Sequence, residues 1–213
     1  MTDVETEKQL AAEAAAQLVE DGMRVGLGSG STVARLLPPL ADRRLEIRCV
    51  ATSMRTEQLS RSLGLHIEPF DRLDELDIAI DGADQIAPDG WLIKGGGAAH
   101  TREKIVISAA DRFVVIASSD KVVDKLRPPV PVELLRFGVD ATLAAIAPAE
   151  LRGVAPTPDG GVIADYLGAV DDPVELARRL AETPGVVEHG LFAPEFVTEA
   201  LIALGRTVER RAY

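Results

Sequence analysis

From residue 23 to residue 117 short apolar strands alternate with helical segments, and the first strand runs straight into a glycine-rich turn. That alternation narrows the possible folds more than any other feature of the chain. Strands separated by helices line up in parallel, and the helices cover the sheet faces. Glu5 to Asp21 is rich in Ala, Gln, Glu and Leu and reads as a helix, ended by Gly22. Met23-Arg-Val-Gly-Leu27 reads as a strand, Gly28-Ser-Gly-Ser-Thr32 as a tight turn, and Val33 to Leu40 as a helix. Further strands are expected at 46–51, 65–68, 76–80, 91–94 and 112–117, with helices at 53–63 and 101–110. The fold class is α/β, with a Rossmann-like, mostly parallel sheet.

The pattern changes at Arg127-Pro-Pro-Val-Pro131. So many prolines cannot continue a helix or a central strand, so a boundary is expected there. Beyond it the order becomes strand 132–137, helix 140–147, strand 151–155, strand 162–166, helix 173–181 and strand 186–192, with a hairpin signal at Pro158-Asp-Gly-Gly161. This βαββαβ order is that of a smaller ferredoxin-like α+β domain. The tail after Ala193 reads equally well as helix or strand. The expected division is residues 1–128 with 194–213 in the sheet domain, and 129–193 in the second.

Charge limits the partners. Against 23 Lys and Arg stand 34 Asp and Glu, a net charge of −11. A nucleic-acid partner calls for a basic face, which this balance disfavours. An anionic small molecule would need a local nest of donors. One cysteine, Cys49, excludes an internal disulfide framework and a multi-cysteine zinc site. The acidic N-terminus lacks a basic segment followed by an apolar run, and no stretch is apolar for the 18 or so residues that span a bilayer. A cytoplasmic protein with no membrane partner is expected.

Three segments carry chemistry. In Gly28-Ser-Gly-Ser-Thr32, backbone N–H groups at a helix start can bind an anion, and Ser29, Ser31 and Thr32 add hydroxyls. The spacing matches neither the dinucleotide fingerprint nor a Walker loop, and a plain turn with an N-cap reads the same residues. Asp81-Gly82-Ala83-Asp84 ends an apolar strand, where open α/β sheets bind ligands. Its acids suit acid/base work, metal ligation or a simple Asx turn. Lys94-Gly95-Gly96-Gly97 places a cation before three residues that lose much entropy on ordering, which suggests backbone held close to a ligand. Glu103, in the first turn of the next helix, is a candidate general base; a flexible loop before a solvated helix start is the bland alternative. Lys121 could reach a phosphate or be an ordinary surface lysine, and His100 is the one histidine inside a motif.

In order along the chain, Gly28-Ser-Gly-Ser-Thr32, Asp81-Gly-Ala-Asp84, Lys94-Gly-Gly-Gly-Ala-Ala99, Thr101-Arg-Glu-Lys104, Pro129-Val-Pro-Val-Glu133 and Pro184-Gly-Val-Val-Glu-His-Gly-Leu-Phe192 resemble ribose-5-phosphate isomerase of type A. The resemblance implies interconversion of ribose 5-phosphate and ribulose 5-phosphate through a cis-enediol, in the non-oxidative pentose phosphate pathway, with no metal or organic cofactor. It implies Glu103 as proton acceptor, with Asp81, Asp84 and Lys94 around the sugar carbonyl and hydroxyls. It places substrate and phosphate at Ser29, Gly30, Ser31, Thr32 and Lys121, beside Gly82, Ala83 and Gly95 to Gly97, with Lys8 a looser match. A homodimer is expected. Gln85, His100 and the hairpin Asp159-Gly160-Gly161 depart from the family pattern. Besides another sugar-phosphate enzyme, a CoA transferase on a similar sheet and a catalytically silent sugar-phosphate sensor are the competing classes. The transferase needs its own glutamate nucleophile; the sensor needs a DNA-binding segment for which no residues are left over.

Overall fold

The computed structural model describes residues 3–73 and 75–213. In chain order it opens with α1 (Asp3–Ala16), β1 (Arg24–Leu27), α2 (Gly30–Asp42), β2 (Arg48–Ala51), α3 (Met54–Ser62) and β3 (Ile78–Asp81). Then come β4 (Gln85–Ile86), β5 (Leu92–Ile93), α4 (His100–Ser108), β6 (Phe113–Ser118), β7 (Val130–Leu134), α5 (Val139–Ala145) and β8 (Ala149–Leu151). The chain finishes with β9 (Val162–Tyr166), α6 (Pro173–Ala181), β10 (Val186–His189), β11 (Leu191–Phe192), β12 (Glu199–Leu204) and β13 (Thr207–Ala212). The class is α/β. Packing divides the chain into two units.

The first unit comprises residues up to Ala83, Arg102–Val122 and Pro194–Tyr213. Its six strands run in the order β13-β12-β6-β3-β1-β2, parallel except for β13. Ile-Ala-Ile-Asp in β3 and Phe-Val-Val-Ile-Ala-Ser in β6 are buried throughout, as a parallel sheet covered on both faces requires. Ala11, Ala12, Ala15 and Ala16 of α1 and Val33, Leu36, Leu37 and Leu40 of α2 share one core with Val25, Leu27, Ile78, Ile80, Val114 and Ile116. Val106 of α4 lies over β1, where a Cβ on Gly26 would stand 2.6 Å from its Cγ1. Strand order reverses between β1 and β3, whose carboxyl ends are Leu27 and Asp81. That is the switch point at which such sheets bind ligands.

The tail ambiguous in sequence is the β12–β13 hairpin, and β12 joins β6 in parallel. The segment at 65–68 contributes only the bridge between Cys49 and Ile67. Cys49 is buried in β2, and burial pushes its thiol up to about 12, which leaves it inert.

Glu7 of α1 is buried and ties three parts of this unit together. Its Oε2 accepts from the Ser119 N–H at 2.8 Å and the Ser119 hydroxyl at 2.7 Å, and its Oε1 accepts from the Gly205 N–H at 2.6 Å. Burial raises its pKa, but the bonds from Gly205 and Ser119 outweigh burial, and the carboxyl sits below its ordinary 4.5. A folded-state pKa below the unfolded one stabilises the fold above pH 4.5, and the contribution is lost as pH falls through that range. Glu7→Gln is expected to cost about 1.5–3 kcal/mol at neutral pH, since bonds to a charged acceptor are the stronger kind. Denaturant unfolding should show this gap closing below about pH 4; a gap independent of pH contradicts the assignment.

The second unit comprises Asp84–Thr101 and Val123–Ala193. The sequence pattern places the start of the second domain at 129. Packing also groups 84–101 here, because β4 and β5 form a three-stranded sheet with β11, in the order β11-β5-β4. The larger sheet has the order β10-β7-β9-β8 and is antiparallel throughout, with α5 between β7 and β8 and α6 between β9 and β10. Leu176 and Leu180 of α6 bury against Val132, Leu134 and Ala164.

The strand expected over 151–155 stands at 149–151, and two further expectations fail in this unit for identifiable reasons. Pro131 lies within a central strand, which the proline run was expected to forbid. Pairing of β7 with β10 ends at Val132, so the missing N–H of Pro131 costs no ladder bond there. The strand expected over 186–192 breaks at Gly190 into β10 and β11. A Cβ on Gly190 would stand 2.1 Å from the Lys94 carbonyl oxygen. Only glycine lets the chain pass so close while the Lys94 N–H donates to the Gly190 oxygen at 2.8 Å.

Candidate active site

In the first unit, β1 ends in the Gly28 turn and β3 ends in Asp81. Gly28 has no room for a side chain: its Cβ would lie 1.9 Å from Asp81 Cγ. Asp81 is 2% exposed, and its Oδ1 accepts from the Ser29 N–H at 3.0 Å and the Gly82 N–H at 2.7 Å. Ser29 occupies the N-cap position of α2 with extended backbone, but its side chain makes no capping bond. The hydroxyl instead donates to Glu103 Oε1 at 2.6 Å. Glu103 is itself 4% exposed, in the first turn of α4. One loop residue therefore bridges two buried carboxylates.

α2 begins at Gly30, whose φ of +87 favours glycine. The N–H groups of Gly30, Ser31 and Thr32 belong to its first turn and have no intrahelical acceptor, which suits an anion. Lys121 lies on another element, the short helical turn Ser119–Lys121 after β6, with its ammonium 3.4 Å from Asp120. Burial raises the Asp120 carboxyl, and the Ser118 hydroxyl and Lys121 together hold it below the usual range. Lys8 of α1 pairs with Glu5 at 2.8 Å.

In the second unit, Asp84 is exposed, and its Oδ2 accepts from the Gly96 N–H at 2.7 Å. Lys94 directly follows β5 and is 3% exposed, with its ammonium 5.5 Å from the centre of the Phe192 ring. Gly95 is buried with φ +107, and a side chain there would meet His100 Nδ1 at 2.7 Å and Pro131 Cβ at 2.8 Å. Gly96 and Gly97 are exposed. His100 is wholly buried beneath this loop, with Nε2 3.3 Å from the Glu188 carbonyl oxygen. The histidine singled out in sequence thus packs under the loop.

Sequence reasoning missed two groups here. Arg152, just after β8, donates to the carbonyl oxygens of Gly95 at 2.9 Å and Gly96 at 3.2 Å, and its fork holds Asp165 of β9. Glu133 of β7, 3% exposed, accepts from the Thr157 hydroxyl at 2.6 Å and from the Thr101 hydroxyl in the first turn of α4. A Cβ on Gly161 would lie 2.1 Å from Glu133 Oε1, and Gly160 has φ +89. The departure at Asp159-Gly160-Gly161 therefore makes room for a buried carboxylate. Glu133 closes the motif Pro129-Val-Pro-Val-Glu133, but neither it nor Arg152 showed a role locally, since their partners lie up to 57 residues away.

The model of the family ribose 5-phosphate isomerase A (phosphoriboisomerase A) matches residues 48–206. The chain belongs to the ribose 5-phosphate isomerase A family. A relative named ribose-5-phosphate isomerase A from Caulobacter sp. (strain K31) is 45% identical over 217 residues, which cover 95% of this chain and 96% of the relative. The solved ribose 5-phosphate isomerase A of Methanocaldococcus jannaschii superposes with a TM-score of 0.93 at 34% identity, covering 98% of this chain and 99% of that one. A D-ribose-5-phosphate isomerase solved in complex with phospho-erythronic acid superposes with a TM-score of 0.94 at 34% identity, covering 99% of each. Membership makes the chain an aldose–ketose isomerase by family. Among the described residues no helix is long and apolar enough to cross a membrane.

Proposed function

We propose that the chain interconverts D-ribose 5-phosphate and D-ribulose 5-phosphate by proton transfer through a cis-enediol. The observation that carries the proposal is the bridge in which Ser29 donates its hydroxyl to Glu103 and its N–H to Asp81. Aldose-to-ketose conversion needs one base that can return the proton it takes, and a second group beside the two oxygens. Glu103 removes the proton from C2, the C–H electron pair forms the C1–C2 double bond, and charge develops on O1. Glu103 then delivers the proton to C1 while the O2 hydroxyl loses its proton and becomes the carbonyl. Asp81 moves the proton between O2 and O1. Lys94 and the glycine-loop N–H groups stabilise the developing oxyanion, and Asp84 binds the sugar hydroxyls. Gly82 and Ala83 line the substrate beside Asp81.

The N–H groups of Gly30, Ser31 and Thr32 and the hydroxyls of Ser31 and Thr32, with Lys121 and Lys8, hold the 5-phosphate, while Ser29, whose N–H and hydroxyl go to Asp81 and Glu103, borders the substrate at the two carboxylates. The local phosphate donors answer the need set by a net charge of −11. Binding energy from this remote group orients the reacting carbons. No metal or organic cofactor takes part in these steps. The second unit, with strands in the order β10-β7-β9-β8, is read as a ferredoxin-like domain, and the first unit as a Rossmann-like one. The protein is read as a cytoplasmic homodimer, since two-fold dimers are the commonest soluble assemblies; sedimentation as a monomer at micromolar concentration contradicts that.

The test is to incubate the purified chain with ribose 5-phosphate and follow ribulose 5-phosphate. Turnover is expected, with unphosphorylated ribose reacting far more slowly. Lys121→Ala should mainly raise KM. Absence of turnover refutes the assignment, and equal turnover of ribose and its phosphate refutes the phosphate anchor.

A further inference from the structure

Arg152 is a partly buried guanidinium that three residues hold in one orientation. Its side chain is 19% exposed and its partner Asp165 is 16% exposed. Nε donates to Asp165 Oδ2 at 2.9 Å, and Nη2 donates to Asp165 Oδ1. Nη1 is left to face the glycine loop, where it takes both the Gly95 oxygen at 2.9 Å and the Gly96 oxygen at 3.2 Å. The hydrogen bonds from Arg152 to Asp165 raise the guanidinium pKa above its ordinary value, burial opposes this, and the charge of Asp84 adds to the rise.

The consequence follows from peptide geometry. A trans peptide directs its N–H opposite to its C=O. With the Gly95 oxygen on Arg152, the Gly96 N–H is turned the other way, and there it donates to Asp84 Oδ2 at 2.7 Å. With the Gly96 oxygen on the same guanidinium, the Gly97 N–H is turned away likewise. Consecutive glycines have no side chains to fix these planes, and Gly95 already stands at φ +107. A lysine could not replace the fork, because an ammonium is a point charge that cannot span a carboxylate and two carbonyls in one plane.

We propose that Arg152, locked by Asp165, is a positioning residue that orients the Lys94-Gly95-Gly96-Gly97 loop and thereby aims its N–H donors and Asp84. It touches no reacting atom. The proposal rests on the isomerase reading for its kinetic consequence but not for its structural one, and the test reads both.

Arg152→Lys and Asp165→Asn are compared with the wild type in ribose 5-phosphate turnover, thermal unfolding and amide hydrogen exchange. The expected result for each is a fall in kcat of about 10–100-fold, the usual scale for a misplaced active-site group. KM should rise by less than kcat falls, because only the Asp84 contact to the sugar hydroxyls is disturbed while the proposed phosphate donors lie on other elements. The smaller loss is expected for Asp165→Asn, which keeps the fork. The Gly96 amide should exchange faster in both variants while amides of β7 and β9 keep their protection. Unchanged kcat in Arg152→Lys overturns the proposal. So does a loss of kcat that accompanies general loss of protection, which marks a merely structural role. If the wild type has no isomerase activity, the functional reading fails, and unchanged Gly96 exchange would then overturn the loop assignment separately.

Discussion

Glu103→Gln is expected to lower turnover by at least about two decades while ribose 5-phosphate still binds. The side chain is 4% exposed, and its Oε1 accepts from the Ser29 hydroxyl at 2.6 Å. Glutamine is isosteric and its amide oxygen can accept the same bond, so packing around the first turn of α4 survives. It cannot take a proton from carbon. A positioned general base contributes about 10²–10⁴-fold, or roughly 3–5 kcal/mol of barrier. The sharper measurement is isotopic. In heavy water the wild type should place deuterium at C1 of ribulose 5-phosphate, because the base exchanges its proton with solvent before returning it. The variant should not. Exchange at the wild-type rate would move the base to another residue, with Asp81 next to examine.

Gly28→Ala is expected to cost activity at least about 10²-fold, on the scale set by displacing a reacting group. The new Cβ would lie 1.9 Å from Asp81 Cγ, 2.0 Å from Oδ1 and 2.5 Å from Cβ. No rotation of the alanine relieves that contact, so the Asp81 carboxylate has to leave its place. Doing so gives up the N–H bond from Ser29, and with it one arm of the bridge between the two carboxylates. The backbone is also tethered, since the Gly28 N–H donates to the Ile80 oxygen at 3.0 Å and the Gly28 oxygen accepts from the Thr56 hydroxyl at 2.9 Å. Forcing a methyl into such a site typically costs about 1–3 kcal/mol of stability. Gly30→Ala is the control. Its φ of +87 strains an alanine, yet nothing lies within 4 Å of the added methyl. It should cost stability without moving Asp81. Paired assays of kcat and thermal unfolding separate the two, and a Gly28→Ala variant keeping more than half of wild-type kcat would show that Asp81 is not needed where it stands.

These two residues also show how much was legible beforehand. The alternation of strands and helices, the glycine turns and the acid and base candidates are local properties. They follow from β-branched runs, helix formers and residues with special backbone freedom. The hairpin at 158–161, the strand Val162–Tyr166 and the helix Pro173–Ala181 stand where the pattern placed them. Pro173 at a helix start and paired glycines in a turn leave few alternatives.

Sequence by itself therefore determined the class of fold, the segments that carry chemistry and the residue types within them. The tertiary structure alone decided what each group faces. The Ser29 hydroxyl had a local use as a cap and found a non-local one on Glu103, 74 residues away. Arg152 and Glu133 looked like ordinary charged residues until β8 and β7 brought them to Gly95 and Thr101. The tail could be helix or strand until β6 offered it an open edge. The break at Gly190 was invisible until the Lys94 carbonyl occupied the space of a side chain. The reason is the same in each case. Propensity and periodicity act over a few residues, whereas hydrogen-bond partners and close approaches are set by strand order, which joins segments that the chain itself keeps far apart.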